Sequence, residues 1–204
     1  AQLAKKSIRS FLNENNIPYI VFGRGASDTY NWLDLDNVMG GRIATEKLIR
    51  TGSRHIAFVG NGLEKVFVQE RLLGYKQALK ACGMVPESIP NVQLPSSAAS
   101  GEDYIHNLVQ DIDGLIVSDD ITAFGMLRAL RARQINVPEH VQMITFDNRV
   151  TTQLSDPPLS VVDIDVFNLG IQAASMLFTQ LQAPTAISQQ CLMPVHLIER
   201  GTTR

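Results

Sequence analysis

Three aspartates of this sequence lie where side chains could bind a polar ligand. Asp119 and Asp120 follow the apolar run Gly114–Val117, and Asp147 follows the apolar run Val141–Phe146. Runs of this length that are apolar throughout are typical of strands buried in a parallel sheet. Ligands of open α/β sheets bind beyond the carboxyl ends of the strands, so these carboxylates are candidate ligand-binding groups. Alternatively, Asp120 is only a helix cap and Asp147 only ends its strand.

One arginine and several aromatic side chains complete the candidate site. Arg71 follows the loop after the predicted strand His55–Gly60, and its guanidinium offers several donors in a fixed geometry. Arginine and paired carboxylates can bind vicinal hydroxyls, so the set predicts a polyhydroxylated ligand. Phe67, Trp32 and Tyr30 would supply apolar faces for a sugar ring. Alternatively, Arg71 pairs with Glu70 or Asp119, and Trp32 is part of the core.

No enzyme motif is present among the polar residues. Gly60 and Gly62 do not form a phosphate-binding loop, because no Lys–Ser/Thr pair follows them. No serine lies in a nucleophile elbow. The histidines show no metal-ligand spacing, and each lies in a different predicted element: His55, His106, His140 and His196. The sequence therefore predicts a binding protein that has no catalytic residue, no metal site and no cofactor.

Composition and charge narrow the class of protein. The 204 residues are 45% hydrophobic and 19% charged, which is typical of a globular chain and excludes a mostly disordered one. A net charge of −2 argues against nucleic-acid binding by this chain alone, since phosphate binding needs clustered Lys and Arg. No apolar run is long enough to span a membrane, and the N-terminus lacks a signal-peptide core. Cys82 and Cys191 are interpreted as ordinary thiols in a reducing compartment.

A strand–helix–strand unit over residues 113–148 positions the three aspartates. The pattern changes from strand to helical period at Asp120, where Ile121, Phe124 and Leu127 share one face. Pro138 ends the connection before the second strand. The unit implies a parallel sheet with helical crossovers, and hence the α/β class.

Similar alternation is predicted along the rest of the chain. Helices are expected over residues 3–15, 36–49, 67–82, 101–111 and 166–181. Further strands are expected at residues 19–22, 32–35, 55–60, 89–94, 161–164 and 191–199. Between Asp147 and Pro157 the chain is expected to be irregular. The pair Gly40–Gly41 lies inside a helical pattern and indicates close packing of that helix.

Five stretches of the sequence together resemble one known family. They are RLLGY (71–75), VSDDITAFGMLRAL (117–130), NVPEHVQMITFDN (136–148), PPLSVVDIDVFNLG (157–170) and LIERGTT (197–203). Each stretch alone is weak evidence for a family, but the presence of all five in the same order as in the family makes the resemblance specific. From about residue 17 to the end, the chain resembles the effector-binding core of the lactose/galactose repressor family.

This resemblance implies a fold and a biological role. The expected fold is α/β and periplasmic-binding-protein-like, with two doubly wound parallel-sheet subdomains around a cleft and three crossings between them. The expected subdomains are residues 1–52 with 165–187, and residues 53–162 with 188–204. The first is too small for a core of its own, so roughly 60 upstream residues are expected, at about 30 per strand–helix unit. The family also implies an upstream helix-turn-helix that binds operator DNA, a homodimer, a cytoplasmic location and no membrane contact.

The resemblance assigns roles to residues as well. The family's effector-contacting arginine falls on Arg71, its Asn–Asp pair on Asp119–Asp120, and its strand-end aspartate on Asp147. Many members have Asn where this chain has Asp119, which suggests a different effector preference. The loop at 95–99 lacks the aromatic residue that some members place there. NWLDLDN (31–37) and the stretch 161–170 look most like the branch that responds to maltose and related glucosides.

Two other functions remain open from the sequence. A secreted sugar-binding protein of a transporter shares the fold, and a signal peptide or a helix-turn-helix upstream would decide between the two. A sugar-acting α/β enzyme would need a tuned acid/base pair or a metal site. Asp119 and Asp147 form a conceivable carboxylate pair, but no residue supplies a nucleophile.

Overall fold

The computed structural model describes residues 6–24, 30–62, 64–85, 92–108, 111–183 and 188–204. The helices are α1 (Lys6–Glu14), α2 (Asn37–Arg50), α3 (Val66–Ala81), α4 (Ala98–His106), α5 (Asp120–Ala132), α6 (Val150–Leu154) and α7 (Val166–Gln182). The strands are β1 (Val21–Phe22), β2 (Trp32–Leu35), β3 (Ile56–Gly60), β4 (Val92–Gln93), β5 (Gly114–Val117), β6 (Gln142–Phe146), β7 (Ser160–Asp163), β8 (Gln190–Met193) and β9 (His196–Ile198). The predicted α/β class is therefore confirmed.

Six strands form the larger sheet, in the order β4-β3-β5-β6-β7-β9. All neighbours are parallel except β9, which runs antiparallel to β7. Every residue of β3, β5 and β6 is buried. This explains why these three strands are apolar runs without alternation, because helices cover both faces of the sheet.

Two clusters of apolar side chains form the core of this sheet, one on each face. Alternate strand residues contribute to different clusters: Leu115 belongs to one and Ile116 to the other. Leu115 packs in the cluster that contains Met126 of α5. Ile116 packs in the cluster that contains Leu48 of α2 and Tyr75 of α3. Since both faces are covered, only the strand ends can present polar groups to a ligand.

Helices α2 and α3 cross at two glycines. A Cβ built on Gly41 would lie 1.9 Å from the carbonyl oxygen of Arg71. A Cβ built on Gly74 would lie 1.9 Å from the carbonyl oxygen of Val38. Only glycine permits this approach of the two backbones, so the predicted close packing at Gly40–Gly41 is confirmed.

The chain divides into two compact units, residues 1–36 with 165–194 and residues 37–164 with 195–204. The first unit contains a three-stranded parallel sheet in the order β1-β2-β8. Val21, Tyr30 and Trp32 form its buried apolar cluster. In α7, Met176 is the buried residue, whereas Phe167 and Phe178 are exposed.

These units differ from the expected ones at two places. Helix α2 was expected in the first unit but belongs to the second. It packs there against α3, because Gly41 lets the two helix backbones approach closely. The segment 191–199 was predicted as one strand, but Pro194 separates β8 from β9. Strand β8 pairs with β2 in the first unit and β9 pairs with β7 in the second. A proline lacks the N–H that a continuous ladder needs.

Other predicted elements shift at their ends. The helix expected over 101–111 begins earlier, at Ala98, because Ser97 caps it by accepting a hydrogen bond from the Ser100 N–H. The predicted strand 89–94 is extended at residues 92–93, and residues 89–91 lie outside the described chain. The expected irregular segment before Pro157 contains the short helix α6.

Candidate functional site

Parallel pairing of β3, β5 and β6 collects their carboxyl ends at one edge of the larger sheet. Asn61 follows β3 and Ser118 follows β5. The Asn61 N–H donates to the Ser118 Oγ at 2.9 Å, and that hydroxyl donates to the Asn61 Oδ1 at 3.0 Å. Asp147 follows β6, so three neighbouring strands each end in a polar residue at this edge.

Asp119 is the N-cap of α5. Its Oδ1 accepts hydrogen bonds from the Thr122 N–H and from the Ser96 hydroxyl, both at 2.9 Å. The side chain is buried, and its Oδ2 has no hydrogen-bond partner among the described residues. The carboxylate thus joins the loop after β4 to the start of α5 through its Oδ1.

Asp120 occupies the first turn of α5 and is 3% exposed. Its Oδ2 accepts a hydrogen bond from the Thr151 hydroxyl at 2.9 Å, and its Oδ1 lies 3.8 Å from a nitrogen of Arg149. The alternative that Asp120 is only a cap is wrong, because Asp119 caps the helix. Asp120 instead links α5 to α6 through its contacts with Thr151 and Arg149.

Arg71 lies on α3 and is 5% exposed. Its Nε donates to the Asn37 Oδ1 at 3.0 Å, and its Nη1 donates to the Ser118 carbonyl at 2.9 Å. The guanidinium carbon lies 3.9 Å from the ring centroid of Phe146 and 5.0 Å from that of Phe67. Hydrogen bonds and stacking together fix the guanidinium plane.

Asp147 lies next to this arginine in a left-handed conformation with φ of 71°. Burial raises the pKa of its carboxyl, and the charges of Asp119 and Asp120 raise it further. The positive charges of Arg71 and Arg149 act in the opposite direction. One Arg149 nitrogen lies 3.7 Å from the Asp147 Oδ2. The site therefore holds its carboxylates close enough to influence one another.

Four of the five site residues predicted from the sequence belong to the second unit: Phe67, Arg71, Asp119 and Asp147. Trp32 belongs to the first unit, where it packs with Val21 and Tyr30. That placement agrees with the alternative that the tryptophan is a core residue.

The sequence analysis did not identify other residues of the site, among them Asn37, Ser96 and Arg149. Arg149 follows the strand-end pair Asp147–Asn148 directly, which is the one signal that could have indicated it. Asn37 and Ser96 reach the site only through the fold, since they lie 34 and 23 residues from their partners.

The described ranges contain neither a metal-binding cluster nor a membrane-spanning helix. No group of three or more His, Cys, Asp or Glu residues there could hold a metal ion. In the same ranges, every helix is too short or too polar to cross a membrane. The described site thus consists of hydrogen-bonding groups around an arginine and aromatic rings.

Comparisons with known proteins show the family to which the chain belongs. Residues 45–203 match the family model described as Periplasmic binding protein-like domain. The HTH-type transcriptional regulator CelR of Thermobifida fusca is 30% identical over 196 residues, which are 93% of this chain and 57% of that protein. The chain spans little more than half of the length of the curated relatives that it matches.

Solved structures that match this chain are also those of transcriptional regulators. A complex of the transcriptional regulator CelR with cellobiose has a TM-score of 0.85 at 28% identity, covering 98% of this chain and 63% of that one. A LacI family transcriptional regulator from Enterococcus faecalis V583 with bound ribose has a TM-score of 0.88 at 25% identity, covering 98% and 73%. The chain therefore belongs to the periplasmic binding protein-like domain family, and its relatives are transcriptional regulators of the lactose/galactose repressor type.

Proposed function

We propose that this chain is the effector-binding core of a sugar-responsive transcriptional regulator. The observation that carries the proposal is the buried guanidinium of Arg71, which lies against the rings of Phe67 and Phe146. Asp119, Asp120 and Asp147 follow the strand ends of the same sheet edge, and Asp119 and Asp120 both influence the Asp147 carboxyl. A fixed donor group beside several carboxylates suits a ligand with many hydroxyls. The complexes of relatives with cellobiose and ribose support a carbohydrate.

The proposed roles of the site residues follow from the hydrogen bonds that each side chain can donate or accept. Asp119 and Asp147 accept hydrogen bonds from sugar hydroxyls, and Arg71 donates to ring or hydroxyl oxygens. The half-buried ring of Phe67 covers an apolar face of the sugar. The proposed ligand is neutral and small, as for other concave binding sites with a few placed polar groups.

The proposed effector is a glucose disaccharide. The sequence resembles the branch that responds to maltose-like glucosides, and the CelR complex contains cellobiose, a β-linked glucose dimer. Both sugars are 1,4-linked glucose dimers, and they differ in the anomeric configuration of the glycosidic bond. A comparison of the two therefore tests the subtype without changing the class of ligand.

Regulation would depend on parts of the protein beyond this chain. We propose that a helix-turn-helix segment binds operator DNA, that the whole protein is a cytoplasmic homodimer, and that effector binding alters DNA affinity. The relatives named as HTH-type regulators support this role. A sugar can shift the regulator between two states only by its difference in affinity for them.

Thermal unfolding of the purified chain tests the sugar site. The panel is maltose, cellobiose, ribose and glucose, with adenosine and leucine as controls. A sugar at 100 times its dissociation constant should stabilise the native state by about 2.7 kcal/mol, which raises the midpoint of thermal unfolding by about 5–10 °C. Stabilisation by adenosine or leucine alone would contradict the carbohydrate proposal.

A paired substitution tests the assigned site. Arg71→Lys retains the positive charge but loses the planar fork, so sugar stabilisation should disappear. Arg128→Lys is the matched control, because Arg128 is largely exposed on α5 and its nitrogen lies 3.3 Å from Glu102. Equal sugar stabilisation in both variants would place the ligand elsewhere.

A further inference from the structure

Among the described residues, none donates a hydrogen bond to the buried Oδ2 of Asp119. The residue is 8% exposed, and its Oδ1 accepts bonds from Ser96 and Thr122. Its Oδ2 has no partner among the residues that the structure describes. A buried carboxylate oxygen that lacks a donor costs free energy, so such an atom marks a place where a donor would be bound favourably.

Several charged groups surround the Asp147 carboxyl. The described groups that act on the Asp147 carboxyl are Arg71, Arg149, Asp119 and Asp120. Around Asp147, three carboxylates thus act together with two guanidinium groups. The exposed Arg149 is screened by solvent, whereas Asp119 and Asp120 are buried. A ligand that brings another negative charge here would be repelled.

From these two observations, we infer that Asp119 makes the site selective for neutral or positively charged sugars that present a hydrogen-bond donor, and that it rejects phosphorylated and carboxylated sugars. This inference rests on the proposed sugar-binding function. An ionised carboxylate can only accept hydrogen bonds, so a hydroxyl or an ammonium group matches it. A phosphate or carboxylate offers further acceptors and adds like charge.

An amide at this position would act differently. Asparagine has almost the same shape and is an equally good N-cap residue, so Asp119→Asn retains the start of α5. Its side chain is neutral and replaces one acceptor oxygen by a donor NH2. The substitution thus changes ligand preference while it preserves the fold, which makes selectivity measurable by itself.

Isothermal titration of the full chain with three matched disaccharides tests the inference. The probes are cellobiose, cellobiose 6′-phosphate and the β-1,4 dimer of glucosamine, which are neutral, anionic and cationic. Wild-type protein should bind the phosphate at least about 100-fold more weakly than cellobiose, and the glucosamine dimer at least as tightly as cellobiose. In Asp119→Asn, each of the two affinity ratios should move toward one by about tenfold.

Each ratio is measured on a single protein sample, so a partly unfolded variant does not change it. Asp103→Asn is the control, because Asp103 is an exposed aspartate of α4 outside this cluster and should leave both ratios unchanged. Equal affinity of wild type for cellobiose and its phosphate would overturn the inference alone. Unchanged ratios in Asp119→Asn would also overturn it, whereas failure of all saccharides to bind would overturn the proposed function as well.

Discussion

The guanidinium carbon of Arg71 lies 3.9 Å from the ring centroid of Phe146, the last residue of β6. The same side chain bonds Asn37 at the start of α2 and the carbonyl of Ser118 after β5. One arginine therefore joins two helices and two strand ends around the candidate site. A group proposed to bind ligand is thus also part of the buried framework.

Arg71→Ala should therefore lower stability as well as ligand binding. The substitution leaves Asn37 Oδ1 and the Ser118 carbonyl without their donor and removes the group stacked on Phe146. We expect the free energy of unfolding to fall by about 2–4 kcal/mol, because buried charged hydrogen bonds are lost. Urea denaturation at neutral pH measures this change.

Arg128→Ala provides the comparison for that experiment. Arg128 is largely exposed, and its ion pair with Glu102 should contribute less than about 1 kcal/mol. If both alanine variants unfolded at the same urea concentration, the structural role of Arg71 would be excluded.

The helix crossing of α2 and α3 gives a second prediction. In Gly74→Ala, the new Cβ would lie 1.9 Å from the Val38 carbonyl oxygen, so the helices must separate. We expect a loss of about 3 kcal/mol or more, since overpacking against backbone is poorly relieved. The midpoint of thermal unfolding should fall accordingly.

Gly170→Ala is the matched control for this substitution. Gly170 lies within α7, and a Cβ added there would meet no described atom within 4 Å beyond its chain neighbours and its own helix backbone. Alanine should stabilise that helix by up to about 1 kcal/mol. Destabilisation of similar size by both substitutions would show that the cost at Gly74 is not caused by the crossing.

The strand ends of the site could be predicted from the sequence because they depend on local pattern. Apolar runs that stop at Asp119 and Asp147 indicate buried strands, and parallel strands bring their ends together. The hydrogen bonds that hold those groups could not be predicted in the same way. Ser96 and Thr151 lie 23 and 31 residues from the carboxylates to which they donate. Hydrophobic periodicity does not predict contacts between residues so far apart in the sequence.

The division into units shows a similar limit. The alternating pattern of residues 191–199 is compatible with one strand, and it does not indicate which sheet each half joins. Pro194 was the local signal for a break. The placement of α2 depends on the close contact of Gly41 with α3. The sequence predicted close packing at this glycine but did not indicate which helix it contacts.

The cap of α5 supports a third prediction, on the role of Asp119. Asp119→Ala removes the acceptor for the Thr122 N–H and should cost about 1 kcal/mol. Asp119→Asn keeps an acceptor at the same place and should change stability by only a few tenths of a kcal/mol. Chemical denaturation of both variants separates them, and equal losses would mean that charge rather than capping is responsible.

The pH dependence of stability gives a fourth prediction, for Asp147. Burial and the nearby Asp119 and Asp120 raise its pKa above the ordinary value of 3.8, against the opposing effect of the arginines. The native carboxyl therefore binds its proton more tightly than the unfolded one. As the pH rises above about 3.8, the unfolded state ionises first, so Asp147 lowers the free energy of unfolding until the raised native pKa is passed.

Asp147→Asn removes this contribution and is compatible with the backbone, since asparagine tolerates the positive φ of 71° at this position. The stability of the variant relative to wild type should rise with pH from about 3.8 and become constant above the native pKa. Urea denaturation of both proteins between about pH 3.5 and 7 measures the difference directly. A difference that is constant or falls over this range would contradict a raised pKa, because a lowered pKa reverses the sign of the slope.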